Sequence, residues 1–168
     1  MTLMIKAILF DLDGTLIDST ELILTSFNYV MKEYLNKEVP EEEIRSLFGR
    51  PLHYQMALFG GEEKAQLLVE KYREHNLKSH EQYLKSIPGA KETLIGLKNN
   101  GYILGIVTSK KEDAARLGMK ICGIEDYFDV FVFSDDVKIH KPEPEPVLFA
   151  LRKLGLEPKE AVYVGDST

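Results

Sequence analysis

A chain of 168 residues has room for one hydrophobic core, or for a core with a modest insertion. Hydrophobic residues make up 44% and charged residues 29%, the balance of an ordinary globular protein. A formal charge of −6 excludes nucleic acid or an anionic membrane as the main partner, but not a phosphorylated substrate held in a locally positive pocket. The single cysteine, Cys122, has no internal disulfide partner and reads as a small buried apolar residue in a reducing, cytoplasmic setting. The N-terminal apolar run is too short for a signal peptide and has no small-residue cleavage site. No stretch approaches the ~20 apolar residues that a membrane span needs.

The first element is an apolar run over residues 7–10, Ala-Ile-Leu-Phe, which reads as a strand buried on both faces of a parallel sheet. It stops at Asp11-Leu-Asp13-Gly-Thr15. In an extended segment Asp11 and Asp13 point the same way, and two carboxylates at ~4 Å repel by about 4 kcal/mol near a protein surface. Such a pair asks for a cation, a shared proton or a lysine. By itself Asp-Gly is also a turn signal and Asp a good helix N-cap. Calcium fits poorly, because Asp11, Asp13 and Asp18 lack the EF-hand loop's Gly and terminal Glu spacing.

Residues 18–87 carry no convincing strand and read as helices. Ile23, Phe27, Val30 and Tyr34 form one stripe, and Ala65, Leu68, Val69 and Tyr72 a second after Gly60-Gly61. Inserted after the aspartate pair, this segment is placed to act as a lid. Pro88-Gly89 marks the return to the first domain. The predicted division is therefore a core of residues 1–17 and 88–168 with an all-helical cap over residues 18–87.

Beyond Gly89, helical patterns at 90–100, 112–121 and 145–154 alternate with strand patterns at 102–107, 128–133 and 161–165. Gly101 and Gly155 close the first and last of these helices. The alternation predicts an α/β fold with a doubly wound parallel sheet. Strand ends are where such sheets bind ligands. Here they carry Asp11 and Asp13, then Thr108 and Ser109, and last Asp166, with Lys141 in the loop before the final helix. Each has a plain alternative: Thr108 or Ser109 as a helix cap, Lys141 as a solvated lysine, Asp166 as a turn residue. Gathered on one edge, they suit phosphate chemistry. Three converging carboxylates favour a hard divalent cation such as Mg²⁺. A lysine and a hydroxyl can surround phosphoryl oxygens. One aspartate can attack phosphorus while another moves the proton.

At this point the chain resembles the haloacid dehalogenase-like superfamily of phosphohydrolases. Its motifs appear in family order as Asp11-Leu-Asp-Gly-Thr15, Thr108-Ser-Lys110, Lys141-Pro142 and Val164-Gly-Asp-Ser167. The resemblance implies Asp11 as nucleophile and Asp13 as acid and base. It implies Mg²⁺ on the carboxylates of Asp11 and Asp166 and the main-chain carbonyl of Asp13. Thr108, Ser109 and Lys141 would hold the phosphate, with Lys141 also steadying Asp11. The helical insert is similar to the cap of the phosphoglycolate phosphatase and β-phosphoglucomutase subclass. Phe48-Gly-Arg-Pro-Leu52 and Tyr72-Arg-Glu-His-Asn-Leu77 resemble bacterial pyrophosphatases of that group. Arg50 is then the candidate for a distal phosphate, since a guanidinium forks onto phosphate. His53 and His75 read as surface or packing residues. The implied substrate is pyrophosphate or a small phosphate monoester. A phosphosugar mutase, or a module that binds phosphate or a partner without turnover, is the alternative; the second acidic residue, Asp13, argues against a dehalogenase.

The chain departs from the family pattern by stopping at Thr168, inside the fourth motif. Read as a truncation, this predicts an uncovered face on the strand at 161–165, self-association through that exposed edge, a less firmly held Asp166 and weak activity.

Overall fold

The computed structural model describes residues 4–166. Ser167, the last residue of the fourth motif, and Thr168 lie outside them. The chain divides into two compact units: residues 1–18 with 85–168, and residues 19–84.

The first unit is built on the apolar run after Lys6. Strand β1 (Ala7–Phe10) lies inside a four-stranded sheet. Strands β4 (Ile103–Val107), β5 (Val130–Val132) and β6 (Ala161–Val164) complete it in the order β5-β4-β1-β6, all parallel. Helices α5 (Ala90–Asn99), α6 (Glu112–Ile121) and α7 (Glu145–Leu154) form the connections. The chain crosses from β5 over β4 and β1 to reach β6, which makes the carboxyl end of β1 the switch point. Leu9, Val107, Val130 and Val132 pack beneath Ala150 and Leu151 of α7. Gly105 lets β4 lie close to Leu9 and Val130, where a Cβ would collide with both side chains. Gly155 ends α7 in the left-handed conformation, at φ 65°.

On β6, Ala161 and Tyr163 pack with the α7 core, whereas Val162 and Val164 on the other face are 44% and 39% exposed. Among the described residues β6 is an edge strand. Cys122 follows α6 and is half-buried, not the fully buried residue expected.

The connection between the units departs from the prediction. Ile17–Asp18 (β2) and Lys85–Ser86 (β3) form a short antiparallel pair. Two-residue strands are too short for an alternating pattern to register.

The second unit is helical. It comprises α1 (Thr20–Leu35), α2 (Glu41–Ser46), α3 (Leu52–Gly60) and α4 (Glu62–Tyr83). Ala65, Leu68, Val69 and Tyr72 are all buried, as their spacing predicts. On α1 the core stripe is Leu24, Phe27, Val30 and Met31. Ile23 is only half-buried and Tyr34 is exposed, so the buried face is rotated from the predicted one. Residues Leu24, Phe27 and Met31 fit a helical repeat as well as Ile23, Phe27, Val30 and Tyr34 do, and periodicity alone does not choose between overlapping stripes. His75 stacks on Tyr29 with ring centroids 4.3 Å apart, and His53 pairs with Glu62 at 3.4 Å. Among the described residues neither sits in a group able to hold a metal. Among the described residues no helix is long and apolar enough to cross a membrane.

One surface pair ties the sheet together in a testable way. Asp129 accepts from Lys98 Nζ at 2.8 Å and from the Leu104 N–H at 2.9 Å. Partial burial pushes its carboxyl up, but Lys98 and the Leu104 N–H outweigh this and hold it below the usual carboxylate range. A carboxyl depressed by folding gives stability that is present above its ordinary pKa and lost as pH falls through the folded one. Asp129→Asn is therefore expected to lower stability by about 0.5–1 kcal/mol at neutral pH. The gap between urea melts of parent and variant should narrow as pH falls through the acid range; a gap of constant width would contradict the assignment.

Candidate active site

The strand ends bring the predicted residues of the first unit to one edge. Past Phe10 the chain does not stay extended. Leu16 and Ile17 both return their N–H groups to the Leu12 carbonyl, at 2.9 and 3.2 Å, and Gly14 takes φ 77°. The aspartates therefore sit on a tight turn, and glycine is the residue that this positive φ favours.

Asp11 is 8% exposed. Its Oδ1 accepts the Leu12 N–H at 2.7 Å, and its Oδ2 lies 2.9 Å from Lys141 Nζ. Burial pushes the Asp11 carboxyl up and the Asp13 charge adds to this, while Lys141 and the Leu12 N–H pull it down without cancelling the rise. Lys141 Nζ also donates to the Tyr163 hydroxyl at 2.9 Å and to the Val107 carbonyl at 3.4 Å. Burial lowers the Lys141 ammonium, but Asp11 and Tyr163 more than reverse it, so it holds its proton above the ordinary lysine range. For Tyr163 burial dominates and raises the phenol, which stays protonated at neutral pH.

Asp13 turns elsewhere. Its Oδ1 pairs with Lys110 Nζ at 3.0 Å, across 97 residues of sequence. The expected convergence of three carboxylates does not occur: among the described residues no three acidic, histidine or cysteine side chains form a metal-binding group. Two lysines each draw one carboxylate, Lys141 taking Asp11 and Lys110 taking Asp13.

Thr108 ends β4 and is 4% exposed. It does not cap α6, whose N-cap is Lys111; its Oγ1 accepts the Lys110 N–H at 3.1 Å. Ser109 beside it is exposed. Asp166 follows β6, which pairs with β1 so that the Asp11 N–H donates to the Val164 carbonyl at 2.8 Å. The Asp166 carboxylate lies against Gly14, in space that a Cβ at that position would take. Arg50 belongs to the helical unit, exposed between α2 and α3, where its carbonyl accepts from Gln55 Nε2 at 2.8 Å.

The structure adds Lys110 and Tyr163 to the site residues that the sequence points to. Lys110 stands two residues past Thr108 inside a recognised motif, which was signal enough. Tyr163 alternates with two valines on β6, and nothing in its local pattern separates it from a core residue.

A doubly wound parallel sheet with carboxylates, lysines and a buried hydroxyl on its carboxyl edge defines an α/β enzyme site suited to anionic substrates. The comparisons agree with that class. The model of the haloacid dehalogenase-like hydrolase family matches residues 8–168, and the chain belongs to this family of hydrolases. It is 42% identical to the pyrophosphatase PpaX of Bacillus velezensis, over 97% of this chain and 75% of the relative. A haloacid dehalogenase-like hydrolase from Streptococcus pneumoniae, 29% identical, shares the fold with a TM-score of 0.87 over 98% of this chain and 77% of that one. A predicted phosphoglycolate phosphatase from Haemophilus somnus, 27% identical, gives 0.89 over 99% and 78%.

Proposed function

We propose that this hydrolase is a Mg²⁺-dependent phosphohydrolase that forms an aspartyl-phosphate on Asp11 and acts on pyrophosphate or a small phosphate monoester. The observation that carries the reading is the state of Asp11. A buried carboxylate at the switch point, fixed through both oxygens by Leu12 and Lys141, is oriented before a substrate arrives. Burial raises its pKa, and Lys141 and the Leu12 N–H, which favour the ionised form a nucleophile needs, oppose that rise.

In this reading one Asp11 oxygen bonds to phosphorus as the bond to the leaving oxygen breaks. Asp13 gives its proton to that oxygen, then takes one from the water that attacks the acyl-phosphate and releases inorganic phosphate. Thr108, Ser109 and Lys141 hold the phosphoryl oxygens. The donors fit Mg²⁺, being hard oxygens: the carboxylates of Asp11 and Asp166 and the carbonyl of Asp13. The carboxylate of Asp166 occupies a cradle that only a glycine at position 14 leaves open. When bound, Mg²⁺ neutralises carboxylate charge and draws charge from the phosphoryl group. We read the helical unit as a cap that selects the substrate, with Arg50 as its contact to a distal phosphate. The likeness to PpaX favours pyrophosphate.

A phosphate-release screen with Mg²⁺ tests this. Pyrophosphate is expected to turn over faster than phosphoglycolate or sugar phosphates. Preference for phosphoglycolate overturns the substrate, phosphate returned to a sugar makes the protein a mutase, and binding without release makes it a phosphate-binding module.

A further inference from the structure

We propose that Lys110 is a positioning residue that aims the Asp13 carboxyl group at the leaving-group oxygen; this rests on the reading of Asp13 as acid and base. Three observations carry it. The pair is partly withdrawn from water, the Lys110 side chain being 12% exposed and that of Asp13 29%. Its Nζ–Oδ1 distance of 3.0 Å is that of a charge-assisted hydrogen bond. And the main chain of Lys110 is fixed on both sides: its N–H donates to Thr108 Oγ1 at 3.1 Å, and its carbonyl accepts the Ser134 N–H at 3.0 Å.

The chemistry explains the need. The turn through Gly14 sets the backbone beside Asp13, and the direction of the Asp13 side chain is a separate rotamer choice. An acid must lie within hydrogen-bond reach of the oxygen it protonates. Lys141 is engaged with Asp11, and Lys110, from another loop, reaches the Asp13 carboxylate. Thr108 gains a second duty. Besides ending β4 at the site, it holds the residue that holds the acid.

The transferred proton gives a specific readout. In the first step the Asp13 O–H bond breaks and the proton goes to the bridging oxygen as the P–O bond breaks. An alkoxide needs that proton, whereas p-nitrophenolate leaves without it. Loss of alignment therefore penalises an alkyl phosphate more than p-nitrophenyl phosphate. The quantity to compare is the ratio of kcat/KM for phosphoglycolate to that for p-nitrophenyl phosphate. It reports on the leaving-group step, and the amount of folded enzyme cancels from it.

Asp13→Ala is expected to lower this ratio by about 100-fold. Lys110→Ala should lower it about tenfold and Lys110→Arg should restore most of it, since the guanidinium keeps the charge and donors. If Asp13→Ala is selective and Lys110→Ala lowers both substrates equally, Lys110 binds substrate or supports the fold, and the positioning role is wrong. If Asp13→Ala itself shows no selectivity, the acid assignment fails and this inference fails with it.

Discussion

Asp11→Asn removes hydrolysis, by about 10⁴-fold or more, and leaves the fold in place. Asparagine matches aspartate in shape, and its side-chain carbonyl still accepts the Leu12 N–H. An amide has no charge to discharge onto phosphorus. The change in stability is expected to be small because two effects oppose one another. The variant removes a charge that burial disfavours, yet it takes the counter-ion from Lys141, which keeps the Tyr163 hydroxyl and the Val107 carbonyl. Turnover and urea melts on the same preparation check both halves. Retained turnover would remove Asp11 from the chemistry, and a collapsed melt would make its role structural.

Lys141→Met has the opposite balance. The ammonium goes and the apolar stem stays, so Asp11, 11% exposed at its side chain, loses its counter-ion while burial and the Asp13 charge still raise its pKa. Removing one partner of a buried pair leaves the other uncompensated, at a cost of about 3 kcal/mol. Phosphate also loses a cation, worth about 100-fold or more in kcat. The expected signature is therefore a loss of both stability and rate, where Asp11→Asn loses rate alone. Equal stability of the two variants would show that the ion pair is not what holds Asp11.

This asymmetry was not legible in the sequence. Asp11, Thr108, Lys141 and Asp166 stand at strand ends, where an apolar run stops at a polar residue, and that pattern places them on one edge of the sheet. Helices α5 and α7 were legible for a similar reason, each closed by a glycine. Pairing between loops was not. Spacing alone treats Asp11 and Asp13 as two like carboxylates, and only the folded loops show that Lys141 goes to one and Lys110 to the other. Nor did periodicity identify the buried face of α1, where Tyr34 and Met31 both fit a helical repeat. The strands β2 and β3 pair residues far apart in the chain, a constraint that no local pattern carries.

The proposed reaction passes through a covalent phosphoryl group on Asp11. Rapid acid quench of the protein with radiolabelled pyrophosphate and Mg²⁺, followed by peptide mapping, tests it directly. A base-labile label is expected on the peptide that contains Asp11, absent from Asp11→Asn and persisting longer in Asp13→Ala, which lacks the base for its release. Phosphate release at full rate with no label on that peptide at any quench time would contradict it, because water would then attack the substrate without a protein intermediate.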